Sequence, residues 1–180
     1  MRRSELEHAI RAACTIIDRR EVVVIGSQSV LGTWREDDLP ARATLSNEAD
    51  IMAPDEDPAV VRHLADVLDG AAGEFSLFHQ THGYYIDGVD LGTAVLAVGW
   101  RERLVAVCNA NTRGYTGWCL DPHDLCIAKL AAYRSKDREF VSALIEAHLI
   151  DPQIVGSRCE RGGIPGGVAE SIVGWLGHYG

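Results

Sequence analysis

The chain has 180 residues, 26 acidic against 17 basic, a formal net charge of -9 and 47% apolar residues. That length and apolar share suit one compact domain with a real core and exclude intrinsic disorder. The acidity excludes a broad nucleic-acid-coating surface, because phosphates would be repelled, but leaves room for a narrow basic pocket.

The five cysteines (Cys14, Cys108, Cys119, Cys126 and Cys159) are scattered and form no C-x-x-C pair, so they read as reduced thiols of a cytoplasmic protein. No apolar run approaches the ~20 residues that span a bilayer. Glu5, Glu7 and His8 stand where a signal peptide would turn apolar. A soluble protein with no membrane partner is expected.

In chain order, Leu6, Ile10, Ala13 and Ile17 recur at helical spacing and predict a helix from about Ser4 to Arg19, with Ser4 and Glu7 as a capping box. Glu21 to Ile25 is a β-branched run ending at Gly26, which predicts a buried strand. Ser27 to Leu31 begins a helix before a loop containing Gly32, Asp37, Asp38 and Pro40, and Glu48 to Met52 forms a second strand. Pro58 opens a helix that ends at Gly70. Phe75 to Leu77, Tyr84 to Ile86, Val89 to Val98 and Leu104 to Val107 are further strand candidates, with Asp87-Gly88 as a hairpin turn.

After that the pattern turns helical. Asp121-Pro122 is an N-cap followed by proline at the first helical position, for a helix to about Tyr133. Another helix is expected from about Lys136 to His148. The last thirty residues hold 8 of the 18 glycines and predict a loose linker with an end helix around Val168 to Leu176. Strands early and helices late give an α+β class with a mixed β-sheet flanked by helices. Residues 1–118 are expected to form the core and 119–180 a C-terminal helical part packed on it as one unit.

Four local features carry chemistry. Gly26-Ser27 closes a buried strand and leads into a helix start, a setting that suits phosphate, although such turns also serve as plain punctuation. Glu48 and Asp50 lie two apart in a strand and so point to one face. Paired anions need a cation, and Mg²⁺ accepts both carboxylate and phosphate oxygens; a solvated strand edge is the alternative. Lys129 emerges from an apolar helix among Leu125, Cys126, Ala132 and Tyr133, so its ammonium either meets an anion or snorkels to water. Asp137 extends the buried stripe of Phe140, Val141 and Leu144, but its place in a first turn also suits a dipole or capping role. His79-Gln-Thr-His82 lacks a nearby third ligand and is a poor zinc site.

In this order, Gly26-Ser27, Glu48-x-Asp50, Lys129-Leu130 and Lys136-Asp137 resemble the nucleotidyltransferases of the DNA polymerase β superfamily. More narrowly, they resemble the minimal AbiEii-type group of bacterial toxin–antitoxin systems. The resemblance covers about Val22 to Asp151 and implies a nucleotidyltransferase-like α+β core. It also implies that Glu48 and Asp50 ligate Mg²⁺ in a two-ion site, and that Gly26, Ser27 and Lys129 hold the nucleotide. Asp137 would complete the site by pairing with Lys129.

The implied reaction moves an NMP from an NTP to a hydroxyl on a tRNA 3′ end or a protein side chain, and the implied partner is a cognate antitoxin. The sequence departs from the family pattern in its longer gap between Ser27 and Glu48 and in carrying glutamate where aspartate is commoner. The third carboxylate is assigned to Asp90, while Asp87 reads as a turn residue. The alternative is a catalytically degenerate fold that binds nucleotide or a partner. Arg134, Lys136 and Arg138, joined by Arg101 and Arg103, are the candidate RNA footprint.

Overall fold

The computed structural model describes residues 1–179. Helix α1 (Arg3–Ile16) buries Leu6, Ile10 and Ala13 of the expected stripe together with Ala9, and Ile17 follows as its C-cap. Its N-terminus differs from expectation. The Glu5 carboxylate, not Ser4, closes it by accepting the Arg2 N–H at 2.6 Å. Glu7 instead turns inward and accepts from the Asn109 and Asn111 amides at 2.8 and 2.7 Å.

Five strands follow: β1 (Glu21–Val24), β2 (Glu48–Met52), β3 (Tyr85–Gly88), β4 (Val105–Val107) and β5 (Thr116–Cys119). They form one sheet in the order β3-β2-β1-β5-β4. Strands β2 and β3 pair in parallel, as do β1 and β5, while β1–β2 and β4–β5 are antiparallel. The sheet is therefore mixed, and the α+β architecture holds.

Helices α1 and α2 (Pro58–Ala72) cover one face. Gly117 on β5 admits α1 so closely that a Cβ there would lie 2.3 Å from Ile10 Cδ1. Gly88 on β3 admits α2, since its Cβ would lie 2.2 Å from the Ala65 carbonyl oxygen. The buried residues Ala49, Ile51 and Ile86 share this covered face. By alternation, Glu48, Asp50, Tyr85 and Asp87 point to the opposite face. Asp87-Gly88 is therefore strand and not a hairpin turn, and the glycine serves helix packing.

Other expectations also fail for identifiable reasons. Phe75 to Leu77 is not a strand: Ser76 accepts the His79 N–H at 3.1 Å and caps the short helix α3 (Leu77–His82). Val89 to Val98 is interrupted because the Asp90 carboxylate accepts the Gly92 N–H at 2.8 Å and opens a tight turn, so side-chain turn chemistry overrides β propensity. Strand β5 was hidden by its four-residue length and its glycine.

Four helices complete the chain: α4 (Pro122–Ala132), α5 (Ser135–Glu146), α6 (Pro152–Glu160) and α7 (Gly166–Leu176). Helix α6 occupies the expected linker. It starts with the same device as α4, the Asp151 carboxylate accepting the Gln153 N–H at 2.8 Å ahead of Pro152. Buried Asp124 ties this region to the sheet. It accepts Arg103 in two bonds of 2.7 and 3.0 Å and lies 3.2 Å from Arg158. Arg103 is thus committed to the interior and does not extend a surface footprint. No helix among the described residues is long and apolar enough to cross a membrane.

Candidate functional site

The open face of β1 and β2 meets α4 and α5 in a cleft with two hollows. One, of about 390 Å³, is lined by Gly26, Glu48, Asp50, Asp87, Lys129 and Arg134, among others. The second, of about 370 Å³, is lined by Ser27, Arg42, Ser46, Lys129, Lys136 and Asp137, with Leu45 and Phe140 among the rest. Glu48, Lys129 and Lys136 border both, so the hollows are two arms of one site.

Strand register builds the acidic arm. Asp50 on β2 lies opposite Asp87 on β3, and Glu48 lies opposite Tyr85. Gly26 makes room for the central carboxylate: a Cβ at that position would sit 1.4 Å from Asp50 Oδ2. With φ at -78° the backbone imposes no need for glycine, so the requirement is space alone. Burial, together with the charges of Glu48 and Asp87, pushes the Asp50 carboxyl up to about 6 against the pull of Lys129. Asp87 is raised as well, by burial first and then by Asp69 and Glu48. Tyr85 donates its hydroxyl to Glu48 Oε2 at 2.9 Å.

The helices build the basic arm. Asp137, 1% exposed, receives Lys129 Nζ at 3.3 Å and Arg134 through bonds of 2.6 and 3.2 Å. Burial opposes ionisation of Asp137, but the Arg134 hydrogen bond and the Lys129 charge outweigh it and hold the carboxyl below its usual range. The Lys129 ammonium also lies 5.4 Å from the Phe140 ring centroid. Arg42 pairs with Glu139 on the rim.

The turn after Gly26 is a six-residue 3₁₀ segment, Ser27–Gly32, instead of an α-helix, and its own hydrogen bonding starts with Ser29 N–H to Gly26 O at 2.9 Å. It is tied to the approach to β2 by the Gln28 amide, which donates to the Ser46 carbonyl at 2.9 Å.

Gly26, Ser27, Glu48, Asp50, Lys129 and Asp137 therefore converge from four separate elements. Asp90 does not join them: it caps its own turn, lies 3.8 Å from Arg62 and lines neither hollow. The carboxylate that does face the cleft beside Asp50 is Asp87. Its signal was the alternation Tyr85-Ile86-Asp87, masked by the adjacent glycine. Tyr85, Arg42 and Ser46 carried no readable signal, because each is recruited by tertiary contact. Arg134 and Lys136 of the expected RNA footprint line the cleft, whereas Arg138 stacks over Tyr133 at 4.5 Å and Arg101 over Trp100 at 4.7 Å.

The acidic arm offers the hard oxygens of Glu48, Asp50 and Asp87, with Lys129, Arg134 and Lys136 along the same lining. Among the described residues, no three histidine, cysteine, aspartate or glutamate side chains close into a metal cage. Mg²⁺ is commonly held by one or two carboxylates plus substrate phosphate oxygens and water. An open pair such as Glu48 and Asp50, facing a cleft that also contains Ser27 and Lys129, fits that habit.

The family model described as "Nucleotidyltransferase of unknown function (DUF6036)" matches residues 4–161. No curated protein and no solved structure matches the chain.

Proposed function

The chain belongs to this nucleotidyltransferase family of unknown function, and from that premise we propose that it transfers an NMP from an NTP to a hydroxyl acceptor, releasing pyrophosphate, with Mg²⁺. One observation carries the reading. The Asp50 carboxylate is seated over Gly26, beside Glu48 and Asp87, and faces a cleft whose other arm presents Lys129 and Lys136.

Glu48 and Asp50 would hold the metal, with Asp87, not Asp90, as the third carboxylate. When bound, Mg²⁺ supplies charge neutralisation at the α-phosphate and at the leaving pyrophosphate. The chain's own groups do the positioning. Ser27 and Lys129 face the triphosphate, and Asp137 holds the Lys129 ammonium in place so that it need not reorganise when charge moves onto pyrophosphate. Asp87, which lines the hollow beside Asp50 and has a raised carboxyl, would take the acceptor hydroxyl's proton as the oxygen attacks phosphorus. The new O–P bond then forms as the bond to pyrophosphate breaks.

The AbiEii-type resemblance of the motif series supports a toxin role, a tRNA 3′ end or protein side chain as acceptor, and a cognate antitoxin as partner. The test is incubation of purified protein with each α-labelled NTP, Mg²⁺ and separate pools of cellular tRNA and protein. Label should pass to one pool and be abolished by Asp50→Ala and by Asp87→Asn. Transfer that survives Asp50→Ala would remove this cleft as the site. Tight Mg²⁺-dependent nucleotide binding with no transfer to either pool would favour a binding module instead.

A further inference from the structure

Glutamate at position 48 poses a problem that aspartate would not. Its longer side chain has one more rotatable bond, so its oxygens wander unless something fixes them. Tyr85 fixes one of them: it lies opposite Glu48 in the β2–β3 register and donates its hydroxyl to Oε2 at 2.9 Å. The Glu48 side chain borders both hollows of the cleft.

Tyr85 is itself held. Its ring lies 5.0 Å from that of His79, and His79 Nδ1 accepts the Phe75 N–H at 3.1 Å. Phe75 adopts the left-handed region, φ 64°, which is strained for a bulky residue, while its side chain is 77% exposed. Burial of that ring does not repay the strain. The surrounding bonds determine the corner: the Gln80 amide donates to the Phe75 carbonyl at 3.0 Å, and Ser76 Oγ accepts the His79 N–H at 3.1 Å. One product of this corner is a His79 ring held by a backbone hydrogen bond against Tyr85.

The geometry points to Tyr85 as a positioning residue that makes glutamate serviceable as a metal ligand at position 48, with His79 as its brace. Glu48 and Tyr85 form a matched pair, since an aspartate, one methylene shorter, would not reach the phenol. This rests on the metal-dependent reading above.

The experiment titrates Mn²⁺ alone into the full chain, following the free-ion spin-resonance signal, for wild type, Tyr85→Phe, Glu48→Asp, the double variant and His79→Ala. Melting curves run alongside. Groups that orient a metal ligand typically contribute about 10–100-fold in affinity, so Tyr85→Phe should weaken Mn²⁺ binding by at least about tenfold. The double variant should bind no more weakly than the weaker single one, because the same contact is lost in each. His79→Ala, which leaves both bonded partners in place, should cost less than Tyr85→Phe.

In the transfer assay, Tyr85→Phe should raise the Mg²⁺ concentration for half-activation while kcat at saturating Mg²⁺ stays near wild type. A merely structural lesion would lower kcat and the melting temperature together. Wild type and Tyr85→Phe binding Mn²⁺ equally, or losses that multiply in the double variant, would overturn the pairing and leave the metal site standing. A wild type that binds no Mn²⁺ would remove the metal reading and the inference together.

Discussion

Asp50→Asn tests the electrostatics of the cleft most directly. In the folded protein the Asp50 carboxyl is raised from 3.8 to about 6, through burial, Glu48 and Asp87. A folded pKa above the unfolded one means that the native state holds the proton more tightly. The stabilising contribution is therefore complete below about pH 4 and is lost as the pH climbs through about 6. A shift of about two units corresponds to about 3 kcal/mol at most.

Above pH 6 the metal-free protein thus carries an ionised Asp50 at a cost that asparagine would not incur. For a chain of this size about 1 kcal/mol moves Tm by about 2–4 °C. In chelator at pH 8, Asp50→Asn should melt about 4–10 °C above wild type, allowing for imperfect pairing of the buried amide. The difference should close near pH 4. Calorimetry across that range reads it directly. Mg²⁺ should raise the wild-type Tm and leave the variant unmoved, while transfer activity is lost in the variant. Equal melting at pH 8 would refute the claim that like charge and burial strain this carboxylate.

Gly26→Ala should be destabilising by about 1–3 kcal/mol and weaken Mn²⁺ binding, because its Cβ would collide with the Asp50 carboxylate. Gly70→Ala, where a Cβ meets nothing within 4 Å, is the control and should raise stability by about 0.5–1 kcal/mol in a melt. Asp137→Asn should cost about 2–3 kcal/mol, below the range for a fully buried pair because Arg134 is 59% exposed. Since the folded pKa of Asp137 is depressed, that loss should be present at neutral pH and shrink as the pH falls below 3.8. Native thiol titration should label Cys108 alone, since it is exposed and the other four cysteines are buried; a second fast equivalent would contradict the packing of the core.

The motifs that depend on strand alternation and helical spacing were legible in the chain. Glu48-x-Asp50 needed only the two-residue period of β2, and Asp121-Pro122 only the stereochemistry of a helix start. What escaped depended on contacts distant in sequence. Asp87 looked like a turn residue because Gly88 follows it, and only the approach of α2 explains that glycine. Tyr85 gains meaning from lying opposite Glu48, a register no local pattern encodes. Gly26 reads in the chain as the close of a strand at a phosphate-suited turn, whereas its contribution is the space it leaves beneath Asp50. Asp90 stands outside the cleft lining because a carboxylate two residues before an N–H can satisfy itself locally, as it does with Gly92.

On the proposed function, charge in the cleft would also limit how a nucleotide is received. Lys129 and Arg134 share Asp137, and Arg42 is paired with Glu139. Lys136 is the lining cation with no ion pair among the described residues. Against these four cations stand Glu48, Asp50, Asp87, Asp137 and Glu139. The lining is therefore close to neutral and slightly acidic, in a chain of formal net charge -9. A bare triphosphate gains little there, because the nearby carboxylates offset what the cations offer. A triphosphate that arrives with divalent metal reverses the sign of the acidic arm's contribution. The same carboxylates would then disfavour free NTP and favour the metal-bound form. On the proposed function, selectivity for the chelate would follow from carboxylates and cations that nearly balance in one cleft.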